Sequence, residues 1–168
     1  MKQQSRRMAV CGVIAALGVV IMLLGNVLGL GMYLAPMIVG ACLIPIGKTW
    51  GVKYHILLWI AIGILSVIFV SNPEQNLIFL GLLGWYPILR PTLQRLPVAL
   101  RILGKILLFN IIIIALEALV MLVLVPESME APFVVVLLLL GNATFLLYDY
   151  VLPRIEILIS KYANRLLQ

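Results

Sequence analysis

Long runs of apolar residues, interrupted by short polar segments, are the feature that most limits what this chain can fold into. Of its 168 residues, 64% are hydrophobic and 11% are charged, and the mean hydropathy is +1.21. A water-soluble domain of this length needs a larger polar surface than these residues supply. The sequence therefore predicts an all-α, polytopic integral membrane protein.

The apolar runs divide into six predicted helices, which form a single transmembrane domain over residues 1–168. Glycine, proline and short polar segments separate them. The predicted helices cover residues 8–30, 33–47, 54–71, 76–89, 101–125 and 132–152. The second and fourth are only about 21–24 Å long, against a hydrocarbon core of about 30 Å. Whether those two cross fully stays open. The first is too long for a signal-peptide core, so we expect it to be retained.

All twelve lysine and arginine residues fall in or next to alternate connecting segments of the chain. They are Lys2, Arg6, Arg7, Lys48, Lys53, Arg90, Arg95, Arg101, Lys105, Arg154, Lys161 and Arg165. The other segments carry Glu74, Glu127 and Glu130. Because lysine and arginine are enriched on the cytoplasmic side of membrane proteins, the pattern predicts that both termini lie in the cytoplasm.

The segment WYPILRPTLQR, residues 85–95, is then a cytoplasmic elbow between the fourth and fifth predicted helices. Pro87 and Pro91 are expected to break the helix near the membrane face. Arg90 and Arg95 either meet anionic lipid headgroups and orient the chain, or they dock a cytoplasmic partner. The residues leave both interpretations open.

Two pairs of polar residues lie inside the fifth and sixth predicted helices, where such groups are costly. Asn110 and Glu117 are seven residues apart, as are Asn142 and Asp149, so each pair lies on one helix face. The amides of Asn110 and Asn142 fall at a similar depth and are predicted to form a hydrogen bond across the helices. Asp149 is predicted to pair with Arg154 or with the elbow arginines.

Glu117 lies in the predicted outer half of the bundle, which carries no lysine or arginine. It is either a protonated carboxyl bonded to a neighbouring helix, or the polar anchor of a ligand pocket that opens outward. The glycine-rich segment GNVLGLGMY, residues 25–33, is either a mobile flap over such a pocket or a plain loop. The other candidate pocket residues are Asn26, Tyr33, Asn76, Asn110 and Asn142.

The sequence carries no pattern that indicates catalysis or metal binding. Gly47-Lys48-Thr49 resembles the end of a phosphate-binding loop, but Cys42 stands where that loop needs a glycine. His55 is the single histidine and has no ligand residue at a suitable spacing. We therefore expect neither an enzyme nor a bound cofactor or metal.

Gly12 and Ala16 form a small-residue strip on the first helix. Small residues four positions apart let another helix approach closely. That helix belongs either to the same chain or to a partner, and the spacing does not distinguish the two.

With this topology, the chain resembles the membrane-embedded substrate-binding (S) component of an energy-coupling factor (ECF) transporter. The resemblance rests on six short helices with cytoplasmic termini, and on RRMAVCGVIAALGVV (6–20) and LAPMIVGACLIPIGKTWGVKYHILL (34–58). It implies that Gly12 and Ala16 contact a transmembrane coupling subunit and that two cytoplasmic ATPases drive transport. It also implies a multi-pass protein of a bacterial-type plasma membrane, in which a vitamin or other micronutrient binds in an outward-facing pocket, with the substrate left open.

Two other functions fit the same residues. One is a structural or assembly protein that recruits a partner through the elbow and binds no small ligand. The other is a small autonomous channel or exporter, although no predicted helix carries a polar stripe along its whole length. Identifying the proteins that co-purify with the intact chain would distinguish the three.

The predicted sidedness can be tested by labelling. Cysteines introduced at Gln94 in the elbow and at Glu74 in an acidic segment are expected to react with a membrane-impermeant maleimide from opposite sides of the membrane, because charge determines topology. Gln94 should be reached from the cytoplasmic side. Labelling of the elbow from outside would overturn the topology and, with it, the outward-facing pocket.

Overall fold

The computed structural model describes residues 2–28, 33–123 and 131–167 of the chain. These residues form seven α-helices and one π-helical turn, and no strand occurs among them. The elements are α1 (Lys2–Val27), α2 (Leu34–Trp50), α3 (Val52–Phe69), α4 (Pro73–Ile78), the π-helical turn Phe79–Leu83, α5 (Tyr86–Leu93), α6 (Val98–Val123) and α7 (Ala131–Leu167). The predicted all-α class is confirmed.

Within the described ranges, three helices are long and apolar enough to cross a membrane. They are Gln4–Val27 within α1, Val52–Phe69, and Val98–Val120 within α6. A helix needs about 20 apolar residues to cross the hydrocarbon core. The apolar helix α2 is shorter, at 17 residues. By length and composition, each of these three helices is able to cross a membrane.

The predicted fourth helix, residues 76–89, is wrong as a single helix. The chain begins α4 at Pro73, after Asn72 caps it by accepting a hydrogen bond from the Gln75 backbone N–H at 3.2 Å. It then widens into the π-helical turn, where the Gly84 N–H donates to the Phe79 carbonyl at 2.9 Å. A new helix, α5, starts at Tyr86. One predicted span is therefore two helices with a wider turn between them.

The elbow prolines do not make this break. Pro87 lies in the first turn of α5, where proline is tolerated because the backbone N–H there needs no helical acceptor. Pro91 lies inside the same helix. The chain turns earlier, at Gly84 and Trp85.

The predicted sixth helix ends too early at residue 152. Helix α7 continues through Pro153 to Leu167. A proline removes one backbone donor, but the residues after it, RIEILISKYANRLL, alternate apolar and polar side chains at helical spacing, so the helix resumes. Helix α1 begins at Lys2 instead of residue 8 because KQQSRR consists largely of good helix formers. The ends of α2, α3 and α6 lie within three residues of the prediction.

The chain forms two compact units. Unit 1 comprises Met1–Ile88 with Arg154–Gln168, and unit 2 comprises Leu89–Pro153. In unit 1, α1 and α2 both pack against α3. One face of α1 enters that core with Cys11, Ala15, Val19 and Met22, which recur at helical spacing. Cys11 and Cys42 are both free thiols.

His55 joins α3 to the break before α5. Its ring Nε2 lies 2.8 Å from the Gly84 carbonyl oxygen, and because a carbonyl can only accept, Nε2 carries the proton and donates. The Trp59 indole lies against Gly84, so closely that an added Cβ there would be 2.2 Å from Cδ1. Trp85 donates from Nε1 to the Gly81 carbonyl at 2.6 Å. The break is therefore held by His55 and Trp59 from α3 and by a local hydrogen bond from Trp85.

In unit 2, α6 and α7 run antiparallel. Lys105 contacts Asp149, and Phe109 stacks on Phe145 with ring centroids 5.0 Å apart and an interplanar angle of 23°. The order of the contacts along α7 is the reverse of that along α6. Gly141 permits the close approach, because an added Cβ there would lie 2.9 Å from Cζ of Phe109.

We expect Gly84→Ala to destabilise the fold. The Gly84 backbone, at φ −73°, suits any residue, so the cost arises from the collision of the new methyl group with Trp59 and the Phe79 carbonyl. Overpacking of this kind costs about 1–3 kcal/mol of the free energy of unfolding. The measurement is unfolding of the purified protein in mixed micelles.

Gly12→Ala is the matched control. An added Cβ at Gly12 meets no heavy atom within 4 Å, so stability should stay unchanged or rise by up to about 1 kcal/mol through helix propensity. Equal losses from the two substitutions would contradict the packing described at Gly84.

Candidate functional site

Polar side chains follow the facing sides of α6 and α7 in unit 2. They fall at three levels: an ion cluster around Asp149, an amide pair, and Glu117. Along α6 the levels are marked by Lys105, Asn110 and Glu117. Asn110 and Glu117 are seven residues apart and share one face of the helix, and Lys105 comes five residues before Asn110. Because α6 after Lys105 and α7 before Pro153 are otherwise mostly apolar, these polar side chains are the candidate functional site.

Asp149 accepts hydrogen bonds from two cations. The Arg90 Nε–H donates to Oδ1 at 3.0 Å, and its Nη2 donates to the Asp149 backbone carbonyl at 3.4 Å. Lys105 donates from Nζ to Oδ2. Arg90 and Lys105 are 8% and 5% exposed, so all three charges are largely removed from water. The predicted pairing of Asp149 with an elbow arginine is confirmed.

Sequence reasoning missed Lys105 as a member of this cluster and counted it among the loop cations. Its surroundings, ILGKILLF, contained the signal, because a lysine inside an apolar helix needs a partner of opposite charge. Two cations that share one carboxylate carry a net positive charge, and buried ions remain stable only while their partners are in place.

Asn110 and Asn142 form the amide level. The Asn142 Nδ2 donates to the Asn110 Oδ1 at 2.7 Å and to the Leu138 carbonyl, also at 2.7 Å. The predicted hydrogen bond across the helices is confirmed. The Oδ1 of Asn142 is enclosed and has no hydrogen-bond partner within the part of the chain that the structure describes. It is an acceptor that a ligand or a water molecule can use.

Glu117 lies two turns beyond Asn110 on α6. Its side chain is partly buried, and its Oε2 is shut off from solvent by surrounding protein. The carboxyl therefore points into the protein. Residues 124–130, with Glu127 and Glu130, lie outside the described residues. Both predicted roles of Glu117, protonated structural carboxyl and ligand anchor, stay predictions.

The remaining candidate pocket residues lie in unit 1. Asn26, at the end of α1, and Tyr33, before α2, are partly buried. Asn76 is 3% exposed, and its Nδ2 donates to the Val70 carbonyl at the end of α3, at 3.0 Å. Of the predicted flap over residues 25–33, residues 29–32 lie outside the described residues. The structure thus places the six predicted pocket residues in two units, three in each.

Gln75 was missed by sequence reasoning. It is fully buried, and its Nε2 donates to the Met22 carbonyl of α1 at 2.9 Å. The Oε1 of Gln75 and the Oδ1 of Asn76 are enclosed without a hydrogen-bond partner among the described residues. The sequence feature that could have indicated this is Asn72-Pro73, a typical helix start. In the helix that begins there, Gln75 and Asn76 are buried.

The predicted partner-coupling residues have contrasting environments. Gly12 and Ala16 are exposed and do not enter the core of unit 1. Arg90 is buried against Asp149, whereas Arg95 is exposed. Among the described residues, no three histidine, cysteine or acidic side chains are grouped as a metal site would require.

Comparison of the chain with protein-family models, with curated proteins and with solved structures finds no match. The resemblance to an ECF substrate-binding component therefore stays an interpretation of the sequence pattern.

We expect Asp149→Asn to destabilise unit 2 strongly. The substitution leaves Arg90 and Lys105 buried without a carboxylate, and loss of one partner from a buried ion cluster costs about 3–5 kcal/mol. The measurement is the free energy of unfolding in mixed micelles, followed by far-ultraviolet circular dichroism.

Glu156→Gln is the matched control, because it removes one carboxylate from an ion pair with Lys48, whose side chain is 63% exposed. A pair in contact with solvent contributes less than about 1 kcal/mol. If both substitutions had the same small effect, the Asp149 cluster would not be the buried contact described here.

Proposed function

We propose that this protein is the membrane-embedded substrate-binding component of an ATP-driven importer of the ECF type, which takes up a vitamin or other micronutrient from the outer side. It performs no chemistry. Its roles are to hold the substrate and to contact a transmembrane coupling subunit, which is driven by two cytoplasmic ATPases.

The observation that carries the proposal is the exposure of the small-residue strip on α1. Gly12 and Ala16 take no part in the core that α1 forms with α3, and the space above Gly12 is open. Inside a membrane, small exposed residues four positions apart favour close approach of another helix. A helix that presents such a strip outward is suited to a partner subunit.

The polar face of α6 and α7 supports the substrate-binding role. Among the described residues the enclosed Asn142 Oδ1 has no donor and is available to accept a hydrogen bond from a substrate, and the Asn110 amide beside it holds the Asn142 side chain in one orientation. Glu117, two turns further along α6, supplies a carboxyl. A few fixed polar groups within an apolar lining are typical of small-molecule sites.

The ion cluster supports a division of roles within the elbow. Arg90, at the middle of the elbow, is held against α7 by Asp149. Arg95, five residues later, is exposed and remains accessible to a cytoplasmic partner. In this proposal the elbow contacts the ATPase module.

Isolation of the intact chain from its native membranes tests the proposal. We expect a coupling subunit and two ATPases, identified by mass spectrometry, to co-purify with the chain. Ala16→Leu should reduce that recovery several-fold, since bulk at the strip keeps the partner helix away. Ala143→Leu, the same change at an exposed site on α7, should leave it unchanged.

The same preparation tests substrate binding separately from partner binding. Glu117→Gln should keep the partner subunits while the protein loses the small molecule that denaturation of the purified complex releases. Recovery of the chain only as a self-associated oligomer would favour a channel or exporter and overturn the proposal. Loss of all partners on Arg95→Gln, with no effect of Ala16→Leu or Glu117→Gln, would favour an assembly protein.

A further inference from the structure

An apolar groove runs along unit 1 between α1 and α2. It encloses about 530 Å³, and α1 contributes side chains from Ala9 to Ile21 to its wall. Pro45 and Ile46 belong to the opposite wall. Val13 and Leu17 are 60% and 56% exposed although they line the groove, so within the described part of the chain the groove is open beside these two residues.

The length of the groove matches one leaflet of a bilayer. From Ala9 to Ile21 the helix rises about 18 Å, and half of a hydrocarbon core is about 15 Å. The groove lies on a different face of α1 from the small-residue strip, since Gly12 and Ala16 are not among its lining residues. A partner helix on the strip and a ligand in the groove therefore occupy separate surfaces.

One end of the groove is basic and aromatic. Arg7 comes two residues before Ala9, and its guanidinium carbon lies 5.9 Å from the centre of the Trp50 ring, which brings the start of α1 to the end of α2. Lys48 lies in the last turn of α2. Arg6 lies in the first turns of α1, and Lys53 lies in the first turn of α3. Glu156 pairs with Lys48 and is the one carboxylate that the described contacts place there.

We propose that this groove binds a single anionic phospholipid. One acyl chain lies in the groove, and the phosphate lies at the basic end beside Arg7 and Lys48. The lining is almost entirely apolar and matches an acyl chain. The cations at one end match a phosphate, and a tryptophan at that level is typical of the headgroup region. The inference rests on the membrane location proposed above, but it requires neither a substrate nor ATPases.

The test uses the full-length protein in detergent, with equal amounts of phosphatidylglycerol and phosphatidylcholine, and counts bound lipids by native mass spectrometry. We expect one phosphatidylglycerol to be retained under conditions that remove phosphatidylcholine. Val13→Trp fills the groove, and loss of contact with only two methylene groups lowers retention about tenfold. Val67→Trp is the matched control, because Val67 is 58% exposed on α3 and lies outside the groove.

The charge at the groove end is tested separately. Arg7→Gln combined with Lys48→Gln should lower phosphatidylglycerol retention roughly fivefold for each charge removed, with phosphatidylcholine unaffected. Arg101→Gln, compared with Arg7→Gln alone, removes one charge from unit 2 and should have no effect.

Three results would overturn the proposal: equal retention of the two lipids by the unsubstituted protein, full retention by Val13→Trp, or a lipid-free dimer that only Val13→Trp dissociates. Ala9→Leu narrows the same groove with less bulk and replaces Val13→Trp if that variant loses helicity. Because no coupling subunit takes part, failure here leaves the proposed transport function untouched, and failure of the partner isolation leaves lipid binding untouched.

Discussion

In a chain with so little charge, a polar group that leaves water costs free energy unless it finds a partner inside the protein. Asp149 meets this requirement by accepting from Arg90 and Lys105, and His55 meets it by donating to the Gly84 carbonyl. Each of these contacts joins two separate elements. The few polar side chains therefore determine which apolar helices pair and where the chain bends, which apolar packing alone specifies weakly.

Helix α1 has three faces, and each has a different environment. Cys11 and Ala15 face the core of unit 1, Gly12 and Ala16 are exposed, and a third face lines the groove with α2. The first is structural. In our proposals the second meets a coupling subunit and the third meets a lipid. The separation of these faces allows both partners to bind at the same time.

Much of the polar face on α6 and α7 could be predicted from spacing. Asn110 and Asn142 each lie seven residues from an acid and at matching depths, which was sufficient to predict their hydrogen bond and the pairing of Asp149. The break at Gly84 could not be predicted. It depends on Trp59 and His55, which reach it from another helix, and nothing in the local sequence records their approach.

The sequence by itself determined the all-α class and the positions of the long apolar helices, because composition and helical periodicity act over neighbouring residues. Tertiary structure decided which faces are buried, where the predicted fourth helix divides, and how α1 and α2 frame a groove. These features depend on contacts between distant residues, such as Gln75 with Met22 and Arg7 with Trp50. A helix that is apolar on every side carries no local signal for which side its neighbours will cover.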